Sequence, residues 1–260
     1  MGQIEITFLG TGTSHGIPVI GCGCAVCHSD DPRDKRLRTA ILVRTPEVVF
    51  SVDTPPDFRF QCLREGVTKL DAVVYTHAHS DHILGFDDLR RFCEIEDKPM
   101  PVYGAGRTLE ALARVFSYAF EPGPRFRTYV RPEARVFKES FTLGDLEVVP
   151  VDLPHGRMVT NGLIFHSGGS KRVAYMTDCQ SVPEEALEAA RGADVLIIDA
   201  LRHAAHSTHL TVGEAVAISR AVGARQTYFI HMCHELGHAE TEANLPPEIR
   251  LAYDGLRITV

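Results

Sequence analysis

From Asp71 to His82 the chain reads DAVVYTHAHSDH. An apolar, β-branched run of strand character passes directly into a stretch holding His77, His79, Asp81 and His82 within six residues. Burying that many polar rings without partners would be costly, so this segment does not belong in an ordinary core. Extended backbone puts His77 and His79 on one side, and the turn that follows can bring Asp81 and His82 round to a second position. Nitrogen and oxygen ligands of this kind suit zinc, manganese or iron, and two groups of them point to two metals. The fold must therefore present the end of a strand to a polar site, as α/β architectures do.

The rest of the chain agrees. Short apolar runs such as IEITFL, AILVR, EVVFSVD, LEVVPVD, RVAYMTD, DVLIIDA, TYFIH and LRITV read as strands. Helical segments lie between them, from Asp57, Arg107 and Pro183, the last with its stop at Gly192. The best-marked helix is TVGEAVAISRAVG, where Thr211 and Glu214 form a capping box and Gly223 closes the last turn. Strand and helix alternate in both halves without a linker, so the expectation is an α/β protein in which residues 1–260 form one globular unit of two similar halves. Asp53, His77, Asp178, Asp199 and His231 all stand at or just past the ends of strand-like runs. A lone strand-end Asp is usually a cap or turn, so these positions carry weight only as a group.

Composition narrows the classes. The N-terminal stretch MGQIEITFLG lacks the basic and apolar regions of a signal peptide, and no run is long enough to span a membrane, so a soluble cytoplasmic protein is expected. A net charge of −7 argues against a broad surface for nucleic acid. The basic stretches from Asp31 and from Gly123 read as solvated loops. Seven cysteines, three of them crowded at Cys22, Cys24 and Cys27, make a poor disulfide framework and a good metal site. Three thiolates need a fourth ligand for a closed tetrahedral zinc site, and His28, Cys233 and His234 are all available. Redox chemistry at CAVC is the weaker reading.

The His77–His79–Asp81–His82 loop resembles the H-x-H-x-D-H loop of the metallo-β-lactamase superfamily. That resemblance implies a four-layer αββα sandwich with two mixed β-sheets. It matches the family's later ligands to His155 in VDLPHG, Asp178 in AYMTDC and His231 in YFIH. The implied arrangement puts His77, His79 and His155 on one metal and Asp81, His82 and His231 on the other, with Asp178 bridging. The stretch from Gly10 to Cys27, GTGTSHGIPVIGCGCAVC, is similar to the opening of the PhnP-like phosphodiesterase branch. Its glycines are no nucleotide P-loop, since no G-K-[ST] follows. In that branch a histidine three residues after the last active-site histidine completes a structural zinc with the three cysteines, which corresponds here to His234. Of His203, His206 and His209, which precede the capping box, the family matches His209 as a proton donor or ligand of the substrate phosphate. His203 and His206 are left to surface or supporting roles.

The expected chemistry is hydrolysis of small phosphodiesters, cyclic or nucleotide-like, by a hydroxide bridging two divalent metals, with Asp81 and His209 as catalytic side chains. The resemblance also implies a homodimer. Rival activities on the same scaffold are a thioesterase or lactonase and a tRNA 3′-processing nuclease, although no inserted basic arm is evident. A mononuclear-iron persulfide dioxygenase and a non-enzymatic scaffold complete the alternatives. One further motif competes. HELGH, from His234 to His238, spells the zinc-protease pattern H-E-x-x-H, but Gly237 interrupts any helix there and the extended motif would want histidine where this chain has Asn244. That reading leaves Glu235 and His238 without a role.

Overall fold

Residues 3–123, 126–168 and 171–260 are described by the structure, a computed structural model. Pro124 and Arg125 of the second basic stretch lie outside them. The first sheet contains β1 (Glu5–Gly10), β2 (Ala40–Arg44), β3 (Val49–Val52), β4 (Ala72–Val74), β5 (Met100–Gly104) and β6 (Pro132–Val136). The second contains β7 (Phe141–Leu143), β8 (Leu146–His155), β9 (Met158–Ser167), β10 (Lys171–Met176), β11 (Val195–Asp199), β12 (Gln226–Ile230) and β13 (Ile249–Leu251). The final strand, β14 (Arg257–Thr259), returns to the first sheet and pairs with β1, setting Ile6 opposite Ile258.

The spatial orders are β14-β1-β2-β3-β4-β5-β6 and β7-β8-β9-β10-β11-β12-β13. Written this way, each sheet starts with three antiparallel pairings and ends with three parallel ones. The two halves thus repeat one pattern, as the alternation of elements suggested. Parallel neighbours need crossovers, and these are helical. They run through α1 (Phe58–Glu65), α2 (Ser80–Ile83) with α3 (Arg90–Glu96), and α4 (Gly106–Val115) with α5 (Ser117–Phe120) in the first half. In the second half they run through α6 (Glu184–Ala190), α7 (Val212–Val222) and α8 (His238–Ala243).

The layers follow from which side of each strand is apolar. In β11 every residue is buried, and alternation splits the strand: Val195 and Ile197 face the other sheet, Leu196 and Ile198 face the helices. The central cluster joins Phe50 and Val52 to Phe165 and Tyr175, with the Phe50 and Phe165 rings edge to face at 5.8 Å. Phe58, Phe86 and Leu112 close the outer side of the first sheet, and Ala186, Ala215 and Val222 that of the second. This is the αββα sandwich.

Three local outcomes differ from the sequence reading. The helix expected from Arg107 breaks at Phe116, at φ −113° and ψ 46°, and its ring packs on Phe86 with centroids 4.7 Å apart. Of the two stretches read as solvated basic loops, the one from Asp31 buries Arg36, and the one from Gly123 runs into the edge strand β6, with proline at its first residue where no ladder N–H is needed. The segments that become β9, β13, α3 and α8 carried no signal strong enough to single them out. The capping box does form, with Thr211 Oγ1 accepting from the Glu214 N–H at 3.1 Å and the Glu214 carboxylate accepting from the Thr211 N–H at 2.8 Å. Among the described residues no helix is long and apolar enough to cross a membrane. Because Phe165 is fully buried between the sheets, Phe165→Ala should cost about 3–5 kcal/mol of stability, read as a lowered denaturant midpoint.

Candidate metal centre

The polar strand ends converge where the parallel strands finish. Asp53 follows β3, Asp178 follows β10 and His231 follows β12, and all three take left-handed backbone, at φ 65°, 53° and 58°. Such conformations cost about 1–3 kcal/mol each for a non-glycine residue and persist only where the surroundings enforce them. Here each turns the chain sharply off a strand and aims its side chain inward. His79 is the residue before α2, so Asp81 and His82 lie on a single helical turn directly after it.

Two groups of donor atoms result. His77, His79 and His155 form one, and Asp81, His82, Asp178 and His231 the other, each with its ligand atoms within 4.8 Å of one another. Asp178 also meets His155 and His209 within that distance, so it stands between the groups. Supporting contacts choose which ring nitrogen points inward. Thr76 Oγ1 donates to Asp53 Oδ2 at 2.8 Å and so accepts from His77 Nδ1 at 3.0 Å, leaving Nε2 of His77 as a lone pair. His155 Nδ1 donates to the Thr208 carbonyl at 2.9 Å, and His82 Nδ1 to Asp53 Oδ2 at 2.7 Å. These outer contacts fix ring orientation as metal-site second partners do.

Several inward atoms, His82 Nε2 and His231 Nε2 among them, have no hydrogen-bond partner among the described residues. His77 Nε2 faces His79 Nδ1 at 3.0 Å, a distance that two lone pairs tolerate only with a proton or a cation between them. His82 Nε2 lies 3.4 Å from Asp81 and 3.3 Å from Asp178, and His231 Nε2 lies 3.1 Å from Asp178. Neither nitrogen is aligned for a hydrogen bond, although both are buried. Ligands about 2.0–2.2 Å from one metal lie about 2.8–3.6 Å apart, from octahedral to tetrahedral geometry, and the spacings seen fall in that range. Electrostatics point the same way. Burial would lower the His82 pKa, but Asp178, Asp81 and Asp53 outweigh it and hold it well above the usual imidazole range. His231 is likewise pushed up to about 9 against its burial, chiefly by Asp178. Asp178 itself is held well below the carboxylate range, because His231 and His82 overcome its burial. The pocket calls for positive charge, and the His/Asp cluster fits a metal site.

His209 adjoins the cluster from the loop before α7. Its Nδ1 donates to Asp199 Oδ2 at 2.7 Å, and that carboxylate oxygen also accepts from the Cys179 N–H at 3.1 Å. The other ring nitrogen is thereby directed as lone pair or donor at the cleft. His79, Asp81, His155, Arg157, Asp178 and His209 are among the residues lining that cleft, of about 350 Å³. A larger cavity of about 670 Å³, between Lys138 and Glu185, contains none of the clustered ligands. His203 and His206 are exposed; His206 Nδ1 accepts from the Thr208 N–H at 3.3 Å. Asp53, Asp199, Thr76 and the Thr208 carbonyl were not assigned roles from sequence. The two aspartates had a signal, their place at strand ends, whereas a backbone carbonyl has none.

A second cluster lies nearby. Cys22, Cys24 and Cys27 bring their sulfurs to 3.2, 3.5 and 3.8 Å from His234 Nδ1. Edges of a tetrahedral zinc site with these ligands come to about 3.5–3.8 Å. The Cys27 N–H donates to Cys24 Sγ and draws that thiol down to about 6. His28 and Cys233 stay outside the group. Arg36, only 1% exposed, clamps the loop that carries His234 by donating to the carbonyls of Cys233 at 3.1 Å and Leu236 at 2.7 Å, with Asp34 as counter-ion. The glycine-rich loop packs on the same segment: Thr13 N–H donates to the Met232 carbonyl, and a Cβ on Gly12 would lie 2.8 Å from the Arg36 carbonyl oxygen. The HELGH motif is not one helix. Gly237 precedes α8, which begins at His238, so His234 and His238 belong to different elements. His238 is buried beside Glu242, and Glu235 pairs with Arg202.

A family model described as a β-lactamase superfamily domain matches residues 49–232. A crystal structure described as a new diphosphatase from the PhnP family superposes with a TM-score of 0.92 at 42% identity, over 100% of this chain and 98% of that one. The zinc-bound PqqB of Methylobacterium extorquens superposes at 0.77 with 21% identity over 98% and 99%, a likeness of fold. An octanoyltransferase of Porphyromonas gingivalis is 35% identical over 256 residues, 97% of this chain, which spans about half (51%) of that longer protein. For the cysteine cluster, Cys24→Ser should lower bound zinc by about one equivalent per chain and lower the melting temperature; unchanged zinc by metal analysis would remove the reading.

Proposed function

This chain belongs to the β-lactamase superfamily, and we propose that it is a metal-dependent phosphodiesterase acting on small substrates. The observation that carries the reading is the meeting of two donor groups at Asp178, beside the His209–Asp199 pair and inside one cleft. A cleft of about 350 Å³ is of the size that takes small molecules. The 42% identity to a PhnP-family diphosphatase favours phosphorus over carbonyl substrates. We take residues 1–260 as one hydrolase unit, a reading supported by β14 completing the sheet that β1 begins.

In this reading His77, His79 and His155 would hold one divalent metal and Asp81, His82 and His231 the other, with Asp178 placed between the two groups. Zinc, manganese and iron all suit such ligands. Two bound metals would supply Lewis acidity toward a phosphoryl oxygen and would lower the pKa of a water so that hydroxide is available at neutral pH. The chain's own residues do the rest. Asp53 and Thr76 keep His82 and His77 in the tautomers that offer Nε2 inward. Asp199 holds His209 by Nδ1, which leaves Nε2 facing the cleft as the atom to give a proton to the departing alkoxide. Cys22, Cys24, Cys27 and His234 would hold a zinc that does no chemistry but fixes the loop three residues beyond His231.

Hydrolysis of bis(p-nitrophenyl) phosphate by the full chain loaded with Mn or Zn tests this. His77→Ala and Asp178→Ala should each lower kcat by at least about 10³-fold, and wild-type rates from either would end the metal mechanism. His209→Ala should slow alkyl esters by about 10²–10⁴-fold and p-nitrophenyl esters far less, because only a poor leaving group needs its proton. Equal slowing of both would reassign His209 to binding.

A further inference from the structure

The outer face of the first sheet carries an opening that the metal chemistry does not use. It lies between α1 and α3, encloses about 360 Å³, and has Phe58, Cys62 and Phe92 in its lining. All three are buried, the two rings stand 6.5 Å apart, and burial pushes the Cys62 thiol up to about 12. The floor is therefore apolar. None of the clustered donor atoms lines it. At its lips Leu63 and Ile95 are 64% and 50% exposed, and apolar side chains left in water gain free energy when covered.

The two helices frame this opening in the same way. α1 crosses from β3 to β4 and α3 completes the crossover from β4 to β5, both parallel pairs, so the helices run in one direction over one face. α1 offers Arg59 and, four residues on, Leu63; α3 offers Arg91 and, at the same spacing, Ile95. Both arginines thus stand toward one end of the groove and both aliphatic side chains toward the other. Val67, just past α1, extends the apolar end. Arg90 joins the basic end, where Asp88 is the one carboxylate in the lining. Arg90 is held by Asp87 at 3.2 Å and Arg91 by Glu94 at 2.9 Å. Arg59 is exposed, has no ion pair or hydrogen-bonded partner among the described residues, and meets Asp88 only through longer-range attraction. Three guanidinium groups against one carboxylate leave a positive end, in a chain whose net charge is −7.

We propose that this groove binds a medium-chain fatty carboxylate, with its head toward Arg59 and Arg91 and its chain along Leu63, Val67 and Ile95. One occupant has to answer two unlike ends at once: a planar anion suits the guanidinium forks, and an unbranched tail suits the apolar end. A bare phosphate or a nucleotide would leave Leu63 and Ile95 in water, and an uncharged hydrocarbon would leave Arg59 unanswered. About 6 Å of helix separates Arg59 from Leu63 and Val67 adds up to about one further turn, a span that about eight to ten carbons cover. The site contains no residue of the metal centre, so it is independent of the phosphodiesterase reading.

Calorimetry of the metal-loaded full chain with decanoate, kept below its micelle concentration, tests this. Decanoate should bind at least about tenfold more tightly than hexanoate, because each buried methylene adds to affinity. It should also bind at least about tenfold more tightly than decyltrimethylammonium, a preference that added salt weakens. L63S/I95S should weaken decanoate by at least about tenfold. R59E/R91E should lower the preference for carboxylate over ammonium below about twofold. All four positions are exposed, so both variants should fold, which an unchanged melting temperature and unchanged diester hydrolysis would verify. No binding by wild type, or no discrimination by chain length or head group, overturns the proposal. Decanoate affinity that both variants leave unchanged also overturns it, since the carboxylate is then held elsewhere, as at the metals. So does capture by anionic phospholipid vesicles without binding of monomeric decanoate, which would make this face a membrane-docking surface.

Discussion

A carboxylate that is 2% exposed at the end of a strand is the constraint on which this structure turns. Asp178 is desolvated, held in left-handed backbone, and faced by His82 and His231 at 3.3 and 3.1 Å. A charge in that position is tolerable only if positive charge is supplied beside it. The strands, the loop from His77 to His82 and the turn after β12 are all arranged to bring basic nitrogen there. Asp53 repeats the logic one layer out, fully buried and hydrogen-bonded to Thr76 and His82. Burial pushes its carboxyl pKa up, so the contacts from Thr76 and His82 offset a real cost.

This explains why the site lies where the two halves meet. Each sheet passes from antiparallel to parallel pairing, and the parallel strands β3, β4, β10, β11 and β12 end on the same side with polar residues. Crossover helices cover the outer faces, the opposed sheets cover the inner ones, and only the strand ends remain for polar groups. The left-handed turns at Asp53, Asp178 and His231 are strain that the packed sandwich can enforce. Similar turns in a loosely packed protein would relax.

The other coupling runs from the N-terminal loop to the turn after β12. His231 and His234 sit three residues apart, one in each cluster. Between and around them, Met232 pairs with the glycine-rich loop, and the Arg36 guanidinium ties down the Cys233 and Leu236 carbonyls. The segment is held from several directions, which limits how far His231 can swing. A cation at the cysteine cluster would tighten the same segment further. The two clusters are therefore joined through a short, well-held stretch of backbone.

Much of this was legible in the amino-acid order, and for identifiable reasons. Apolar runs such as DVLIIDA must be strands buried on both faces, and Thr211 with Glu214 must begin a helix, because backbone hydrogen bonding and side-chain reach are local. The histidine and cysteine spacings marked both clusters for the same reason: neighbouring ligands are placed by a few torsions. Local order also exposed HELGH as a coincidence, since Gly237 separates its histidines. What the sequence could not settle depends on contacts between residues far apart. Only the tertiary structure brings Asp53 to His82, Asp199 to His209 and the Thr208 carbonyl to His155, setting which ring nitrogen faces inward. Sequence determines which chemistry is carried and where each strand must end; packing decides which atoms meet, because distance in space is fixed by the whole sandwich and by no local stretch of chain.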